Sequence, residues 1–555
     1  MKTKKIKKIC SVILAAALGI SVLTGCGSSN NSGTTGTSSS AGAQEITFNL
    51  GTDIKTLDPA LNQAVDSGIL IANLFEGLYK LDENQKAIPG IAESCDVSDD
   101  GIVYTFHLRK DAKWTNGNPV TAGDFEYAWK RVMNPDTAAE YAYQMEYIKG
   151  AAEYTAGTGS ADEVGVKALD DNTLEVTLTS PCAYFLELTS FPCYFPVEQK
   201  TVEGNEQWAN STESYISNGP FKLADYKIKD QIILEKNENY YGKDSVKLDK
   251  VNVKFVADET SAWASYTTGQ FDMVYVVPQS EIQKAVEDGT AQIYPFLSNL
   301  YLSINMTDSV QGIDPEAAKA LSDPKVRKAM NLAIDRDSLV ENVKKGGQIA
   351  ANGFVPTGIT GPDGEDFASK EYFPSKGNVE EAKKLLSEAG YPDGQGFPSV
   401  VLLYNPEKGN GPVMQAIQDM WKTNLGIDVQ LQSQEWKVFI ATRNDKNYEV
   451  ARDGWGADYV DPMTFLDIFQ STSGQNNTGY NNPEYDKVIA EARAEQDASK
   501  RFELLRQAED MLMEDMPVIP LYYDTVPMGV KSYVKGLNVS PLGYIYFDKA
   551  YIEGK

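Results

Sequence analysis

Residues 400–431, VVLLYNPEKGNGPVMQAIQDMWKTNLGIDVQL, decide the fold class. A short apolar run at Val400–Tyr404 is followed by apolar residues at helical spacing over residues 413–424, and then by a second run at residues 427–431. A strand, a helix and a strand at this spacing predict two parallel strands joined by a right-handed crossover. The sequence therefore predicts an α/β fold.

A further strand is predicted at residues 448–451, and it leads into the stretch ARDGWGADYVDPMTF at residues 451–465. This stretch combines Arg452 with the carboxylates of Asp453 and Asp458, and it adds an aromatic pair and two glycines. Ligands of open α/β sheets bind at the carboxyl ends of strands. We therefore expect the stretch to hold a ligand with both a positive and a negative end.

The N-terminus has the pattern of a secretory signal over residues 1–25. Five lysines precede an apolar run at residues 9–23, which is shorter than the roughly 20 residues of a membrane span. The tetrad LTGC at residues 23–26 resembles a bacterial lipobox, which implies that Cys26 is acylated and begins the mature chain. An ordinary signal peptide with a chance cysteine is the alternative. Residues 26–44, rich in Gly, Ser, Thr and Asn, are predicted to form a flexible tether.

Charge and cysteine content restrict the partners and the architecture. The formal charge of −27 becomes −32 when the five N-terminal lysines are removed, which argues against nucleic acid or anionic lipid as a partner. The five cysteines do not predict a disulfide framework, and the pairing of Cys182 with Cys193 stays open. Roughly 510 residues follow the tether, more than one hydrophobic core usually supports, so two or three lobes are expected.

An enzyme is disfavoured because the chain has a single histidine, His107. That histidine lies in an alternating strand, and we expect it to be structural. One histidine excludes HExxH metal chemistry, and neither GxSxG nor GxxxxGK occurs. Two Ser-x-x-Lys matches, at Ser322 and Ser532, have no companion motif and are interpreted as chance. We predict a protein that is not an enzyme, with no cofactor and no metal site.

The first folded segment resembles a known family. LDP at residues 57–59, NLFEGLY at 73–79, PGIAES at 89–94 and YTFHLRKDAKWTNGNPVTAGDF at 104–125 follow one another as in the extracellular solute-binding proteins, family 5, of peptide ABC importers. ISNGPFKL at residues 216–223 and VRKAMNLAIDR at 326–336 are similar to later segments of that family. The resemblance covers nearly all of residues 45–555.

This resemblance implies a two-lobed, type II periplasmic-binding-protein-like fold with an additional subdomain. Lobe I would comprise residues 45–75, 200–299 and 521–555, the extra subdomain residues 76–199, and lobe II residues 300–520. The implied function is a lipid-anchored, monomeric receptor on the outer face of the bacterial cytoplasmic membrane. It would capture oligopeptides between its lobes and deliver them to an ABC permease driven by ATPase subunits.

Residues 451–459 are similar to the peptide-clasping loop of this family, and the resemblance assigns roles to single residues. Asp458 would pair with the α-ammonium of the peptide. Arg452 would lie near the C-terminal side, where the neighbouring Asp453 is expected to occupy it. The remaining implied contacts are backbone groups of the loop and two residues facing it: Gly454, Trp455, Gly456, Val65 and Tyr141.

Several alternatives stay open at this point. The same fold would also accept a dipeptide, a signalling peptide, a glycan fragment or a nickel complex, and an anchored hydrolase is the rival from another class. Asp458 itself would be a turn residue that satisfies local amides if it did not touch the ligand. Peptide length, side-chain preference and a nutritional or signalling role leave no trace in the sequence, since recognition through the backbone is insensitive to side chains.

Overall fold

The computed structural model describes residues 43–555, with the side chain of Lys408 excepted. The predicted signal peptide, Cys26 and the tether up to residue 42 lie outside the described residues. Gln44, which the sequence places at the end of the tether, is instead held by the fold. Its side chain donates to the carbonyl of Ile552 at 3.1 Å and accepts from the amide of the same residue at 2.9 Å.

Strands are the main framework of the described chain. In chain order they are β1 Glu45–Asn49, β2 Tyr79–Leu81, β3 Ala87–Pro89, β4 Ala92–Val97, β5 Val103–Leu108, β6 Val166–Asp170, β7 Thr173–Thr177, β8 Phe221–Lys227, β9 Gln231–Lys236, β10 Lys250–Lys254, β11 Met273–Val274, β12 Ala291–Ile304, β13 Ile349–Ala350, β14 Val400–Tyr404, β15 Val429–Ser433, β16 Val450–Gly456, β17 Val518–Val530, β18 Val534–Lys535, β19 Asn538–Val539, β20 Ile545–Tyr546 and β21 Tyr551–Ile552.

Helices cover the faces of this framework. They are α1 Val65–Leu74, α2 Ala122–Met133, α3 Ala151–Thr155, α4 Phe185–Leu188, α5 Gln199–Val202, α6 Glu259–Thr267, α7 Ile282–Glu287, α8 Ser309–Ile313, α9 Pro315–Ser322, α10 Pro324–Leu332, α11 Arg336–Ser338, α12 Val379–Glu388, α13 Asn410–Leu425, α14 Trp436–Asn444, α15 Met463–Leu466, α16 Pro483–Ala494 and α17 Ala498–Asp515. Within residues 43–555, none of them is long and apolar enough to cross a bilayer.

One mixed sheet of eleven strands runs through the molecule in the order β15-β14-β16-β12-β17-β11-β1-β10-β9-β8, and β13 pairs with β17. The predicted strand–helix–strand unit is confirmed, because β14 and β15 pair in parallel and α13 connects them. Buried Val413, Ile417 and Trp421 explain why α13 packs on the sheet. The Trp421 indole also donates to the carbonyl of Met330 at 2.8 Å, which joins α13 to α10.

Strands β12 and β17 form the longest pairing in the sheet, and they run through the predicted boundaries between lobes I and II. The boundaries at 299/300 and 520/521 thus fall inside continuous strands. A separate antiparallel sheet, β4-β5-β7-β6, is built entirely from residues 92–177. The division of the chain into two lobes and an extra subdomain with these boundaries stays a prediction.

Two smaller expectations can be compared with the structure. Cys182 and Cys193 are both buried and both free thiols, so they do not pair with each other. His107 lies on β5, where its Nε2 is 2.9 Å from Asp96 of the neighbouring strand. Its side chain is 44% exposed, which fits a surface contact of the sheet better than a catalytic role.

Candidate functional site

The stretch that the sequence singled out begins as a strand. β16 starts at Val450 and continues to Gly456, so it begins two residues later than predicted and runs five residues further. Arg452, Gly454, Trp455 and Gly456 are therefore strand residues and not members of a loop beyond the strand. β16 pairs with β12 in an antiparallel and regular register, from Ile304 opposite Val450 to Ser298 opposite Gly456.

One edge of β16 is open beyond Ala451. On that side β14 pairs only with Val450 and Ala451, and no other strand of the described chain continues the pairing. Ala457 donates its amide to Leu297 of β12 at 2.7 Å. Since alternate residues of a strand direct their backbone groups to opposite sides, Arg452, Gly454 and Gly456 direct theirs to the open edge. Gly454 uses its amide on the side chain of Asp453, and the pairing of Leu403 with Ala451 uses the amide of Arg452. The open edge therefore offers carbonyl acceptors and the amide of Gly456.

Asp453 does not occupy Arg452, which corrects the expectation from the sequence. The carboxylate of Asp453 is bound by Arg443 of α14, with Nη1 2.5 Å from Oδ1. Ser303 Oγ and Asn477 Nδ2 donate to its other oxygen at 2.9 and 3.0 Å. Adjacent strand residues point to opposite faces of the sheet, so Arg452 cannot reach the same partners.

Arg452 is left without an ion pair to Asp453 and is partly buried. Burial lowers the pKa of its guanidinium, because the charged form loses hydration there, and the charge of Asp453 opposes that shift only in part. Its Nε has no hydrogen-bond partner in the described structure. The guanidinium thus has one buried donor without a protein partner, and its Nη2 lies 3.6 Å from the position of a Cβ on Gly454, on the same face of β16. An arginine in this position is suited to a carboxylate or a carbonyl oxygen.

Asp458 follows the strand by two residues and is held in a fixed orientation. Tyr143 Oη and Gln144 Nε2 donate to Oδ2 at 3.1 and 2.8 Å. Burial, together with the charge of Asp467, raises the pKa of the Asp458 carboxyl to about 7, although the two hydrogen bonds oppose the rise. Because both donors bind Oδ2, Oδ1 has no hydrogen-bond donor among residues 43–555 and can accept from a ligand cation.

A cavity of about 550 Å³ opens next to Asp458. Its volume lies within the range of small-ligand pockets, roughly 300–1,000 Å³. Two further carboxyls, Glu146 and Asp467, line it together with Arg493. Most of the other lining residues are aromatic or carry a hydroxyl, and they include Tyr143, Tyr147, Trp455, Tyr459, Thr464 and Ser473.

Val65 and Tyr141 are placed differently. Tyr141 packs against Tyr143 and Phe191, with ring centroids 5.5 and 5.3 Å apart, and the charge of Asp458 contributes to raising its pKa after burial. Val65 is the first residue of α1 and not part of a strand edge. Val65 and Phe296 both lie beside Gly543, since a Cβ built on that glycine would be 2.8 Å from Val65 and 3.1 Å from Phe296.

Phe296 links Val65 to the end of β16. The Phe296 ring lies beside Gly456, 3.8 Å from where a Cβ would be built on that glycine. The same ring lies beside Gly543, which is also next to Val65. The structure therefore brings Val65 toward the same end of β16 as Gly456. It brings Tyr141 to Asp458, while Cys26 lies outside the described residues.

The sequence reasoning missed the partners of the central charges. Tyr143 and Gln144 lie 315 and 314 residues before Asp458 in the chain. The only signal was the tyrosine-rich run EYAYQMEY at residues 140–147, from which Tyr141 alone was selected. Arg443 gave no signal, because a basic residue near a helix C-terminus is common.

The enzyme and metal alternatives find no support in this site. No group of three or more His, Cys, Asp or Glu side chains in residues 43–555 is arranged to hold a metal ion. Ser322 of the first Ser-x-x-Lys match donates its hydroxyl to the carbonyl of Lys319 at 2.8 Å. That is the local bond of a helix end, and it leaves the serine unactivated.

Comparison with known proteins agrees with this geometry. Residues 86–477 match the family of bacterial extracellular solute-binding proteins, family 5. The chain is 36% identical to the oligopeptide-binding protein OppA of Bacillus subtilis, over 99% of this chain and 100% of that protein.

Solved structures give the same result. OppA of Haemophilus influenzae in complex with the peptide RPPGFSPFR is 34% identical with a TM-score of 0.75, over 92% of this chain and 99% of that one. The substrate-binding domain of an oligopeptide ABC transporter from Bacillus anthracis is 34% identical with a TM-score of 0.77, over 92% and 99%. The fold is thus a mixed α/β, type II periplasmic-binding-protein fold, and the protein is a solute-binding protein and not an enzyme. The chain belongs to the bacterial extracellular solute-binding proteins of family 5.

Proposed function

We propose that this protein is a receptor that binds oligopeptides along the open edge of β16 and delivers them to an ABC import permease. The observation that carries the proposal is the combination of that edge with the oriented carboxylate of Asp458. An extended peptide pairs with a strand edge through its main chain, whatever its side chains are. A carboxylate at one end of the edge then sets the register and direction of the peptide.

The energies require both elements. A charge-assisted hydrogen bond from the α-ammonium to Asp458 Oδ1 contributes roughly 1.5–3 kcal/mol. Micromolar affinity corresponds to about 8 kcal/mol, so backbone pairing and burial of the peptide must supply the larger part. Arg452, whose guanidinium lies beside Gly454 on the same strand, is suited to the carboxylate or a carbonyl farther along the peptide.

The length of the edge favours an oligopeptide over a dipeptide. Arg452–Gly456 and the two residues up to Asp458 cover about 20 Å at roughly 3.4 Å per residue. A dipeptide spans only about a third of that length.

Anchoring and delivery complete the proposal. The lipobox-like tetrad supports acylation of Cys26, and the low-complexity segment after it supports a tether on the outer face of the membrane. The likeness to the substrate-binding domain of an oligopeptide ABC transporter supports a permease with ATPase subunits as partner. The protein acts as a monomer, and its lobes close around the ligand about β12 and β17.

Calorimetry with free and N-acetylated pentapeptides tests the proposal. Acetylation removes the ammonium, so we expect it to weaken binding at least tenfold in the native protein and to have no effect in Asp458→Asn. Asp428→Asn, which removes an exposed carboxylate paired with Lys422, is the matched control and should behave as the native protein. Equal affinity of the native protein for free and acetylated peptides would show that Asp458 does not bind the ammonium.

A further inference from the structure

We propose that the cavity beside Asp458 is a pocket for the first side chain of the bound peptide and selects lysine or arginine there. This inference rests on the proposed function and adds a substrate class to it. A peptide whose α-ammonium sits on Asp458 Oδ1 has its first side chain within a few ångströms of that carboxylate. The adjoining cavity, about 550 Å³, has room for a long side chain.

The charges of the lining define what enters. Three carboxyls, Glu146, Asp458 and Asp467, face a single cation, Arg493. Asp458 is used by the α-ammonium, which leaves two carboxyls against one arginine. An unbalanced negative charge in a partly enclosed cavity favours a cationic ligand group.

Of the two remaining carboxyls, Glu146 has no hydrogen-bond partner among the described residues, and Asp467 has a long ion pair with Arg493 and a contact with Tyr459. Within residues 43–555, no donor hydrogen-bonds the side chain of Glu146, and Arg493 Nη2 stays 3.8 Å from Asp467, beyond hydrogen-bond distance. Arg493 instead donates from Nη2 to Gln470 Oε1 at 2.9 Å. Tyr459 is the hydrogen-bonding group beside Asp467.

Electrostatics support the same conclusion. Burial raises the pKa of Asp467 to about 6 and raises that of Glu146 as well, with the positive charge of Arg493 opposing both shifts. The charge of Asp467 also raises the pKa of Asp458, so the two carboxylates are near enough to interact. A ligand with two cations a short chain apart relieves this repulsion, and an N-terminal lysine or arginine is such a ligand.

The test compares three pentapeptides that differ only in the first residue: lysine, its uncharged isostere norleucine, and alanine. At pH 7.5 we expect the lysine peptide to bind the native protein about tenfold more tightly than the norleucine peptide. Asp467→Asn combined with Glu146→Gln should reduce that ratio to about one. The alanine peptide should bind the double variant within about twofold of the native protein.

The outcomes separate this inference from the proposed function. If the native protein binds the lysine and norleucine peptides equally, and N-acetylation still weakens both, the pocket has no charge preference and only the receptor function stands. If no peptide binds, both fail. Glu484→Gln, an exposed carboxylate paired with Lys487, is the control for a general change of surface charge and should keep the tenfold ratio. Binding of free diamines as tight as that of the lysine peptide would assign the cavity to small polycations and overturn the inference.

Discussion

Arg443 of α14 and Asp453 of β16 form a nearly buried ion pair, with Nη1 2.5 Å from Oδ1. The two side chains are 12% and 2% exposed. Asp453 receives three further hydrogen bonds, from Ser303, Asn477 and the amide of Gly454. This pair ties α14 to β16, and through Ser303 to β12, so it fixes the strand whose other edge is open.

Arg443→Met should destabilise the protein by about 3 kcal/mol, because the carboxylate of Asp453 would remain buried without its counter-ion. Urea unfolding monitored by tryptophan fluorescence measures the change. The double variant Arg443→Met with Asp453→Asn should recover a large part of the loss, since it leaves no unpaired charge. Lys422→Met removes one member of an exposed pair and should change the stability by less than 1 kcal/mol.

Peptide affinity should depend on pH through both members of the proposed ion pair. Asp458, with a pKa of about 7 in the free protein, must lose its proton, and an α-ammonium with a pKa near 7.7–8.0 must keep its own. Affinity should therefore peak between about pH 7 and 8 and fall on both sides, approaching tenfold per pH unit. Calorimetry from pH 5.5 to 9.5 measures the profile. An N-acetylated peptide should give a flat profile, and a bell-shaped profile for it would assign the pH dependence to other groups.

Tyr143→Phe tests how Asp458 is positioned. The Tyr143 hydroxyl donates to Oδ2 and favours the ionised carboxylate, so its loss should raise the pKa of Asp458. The acid side of the affinity profile should shift to higher pH, while binding at the optimum weakens only slightly. A uniform loss of affinity at every pH would indicate a direct contact of Tyr143 with the peptide.

Much of the fold could be predicted from local patterns. The apolar pattern of residues 400–431 predicted β14, α13 and β15 in their parallel arrangement. Apolar residues recur at helical spacing in α13, whereas they form short continuous runs in the two strands. Local signals also mark the start of α10, where Pro324 is the first helical residue and Asp323 caps the helix by accepting from the amide of Lys325. These features are set within about thirty residues of chain, so the sequence carries them directly.

The sequence pointed to the strand that carries the candidate site, but not to the contacts of its charged side chains. Arg452 and Asp453 are neighbours in sequence, and this suggested an ion pair. In a strand, however, neighbours face opposite sides, and the partner of Asp453 comes from α14. The donors to Asp458 come from more than 300 residues away. Such pairings follow from the topology of the large sheet, which no local pattern encodes.

Asp458→Asn should stabilise the ligand-free protein at pH 8. The folded-state pKa of about 7 lies above the unfolded value near 3.9, so the protonated carboxyl is the form that folding favours. The stability that the raised pKa of Asp458 contributes is fully present below about pH 4, and it is lost as the pH rises through 7. At pH 8 the native protein carries a poorly hydrated charge that asparagine lacks.

The gain should be about 1 kcal/mol, less than the full pKa difference implies, because the side chain is partly exposed to water. Urea unfolding at pH 8 and pH 4 measures it, and the difference between variant and native protein should vanish at pH 4. Asp428→Asn should show no comparable pH-dependent gain. Destabilisation by Asp458→Asn at pH 8 would mean that the carboxylate supports the fold, whereas stabilisation together with weaker peptide binding identifies a charge kept for the ligand.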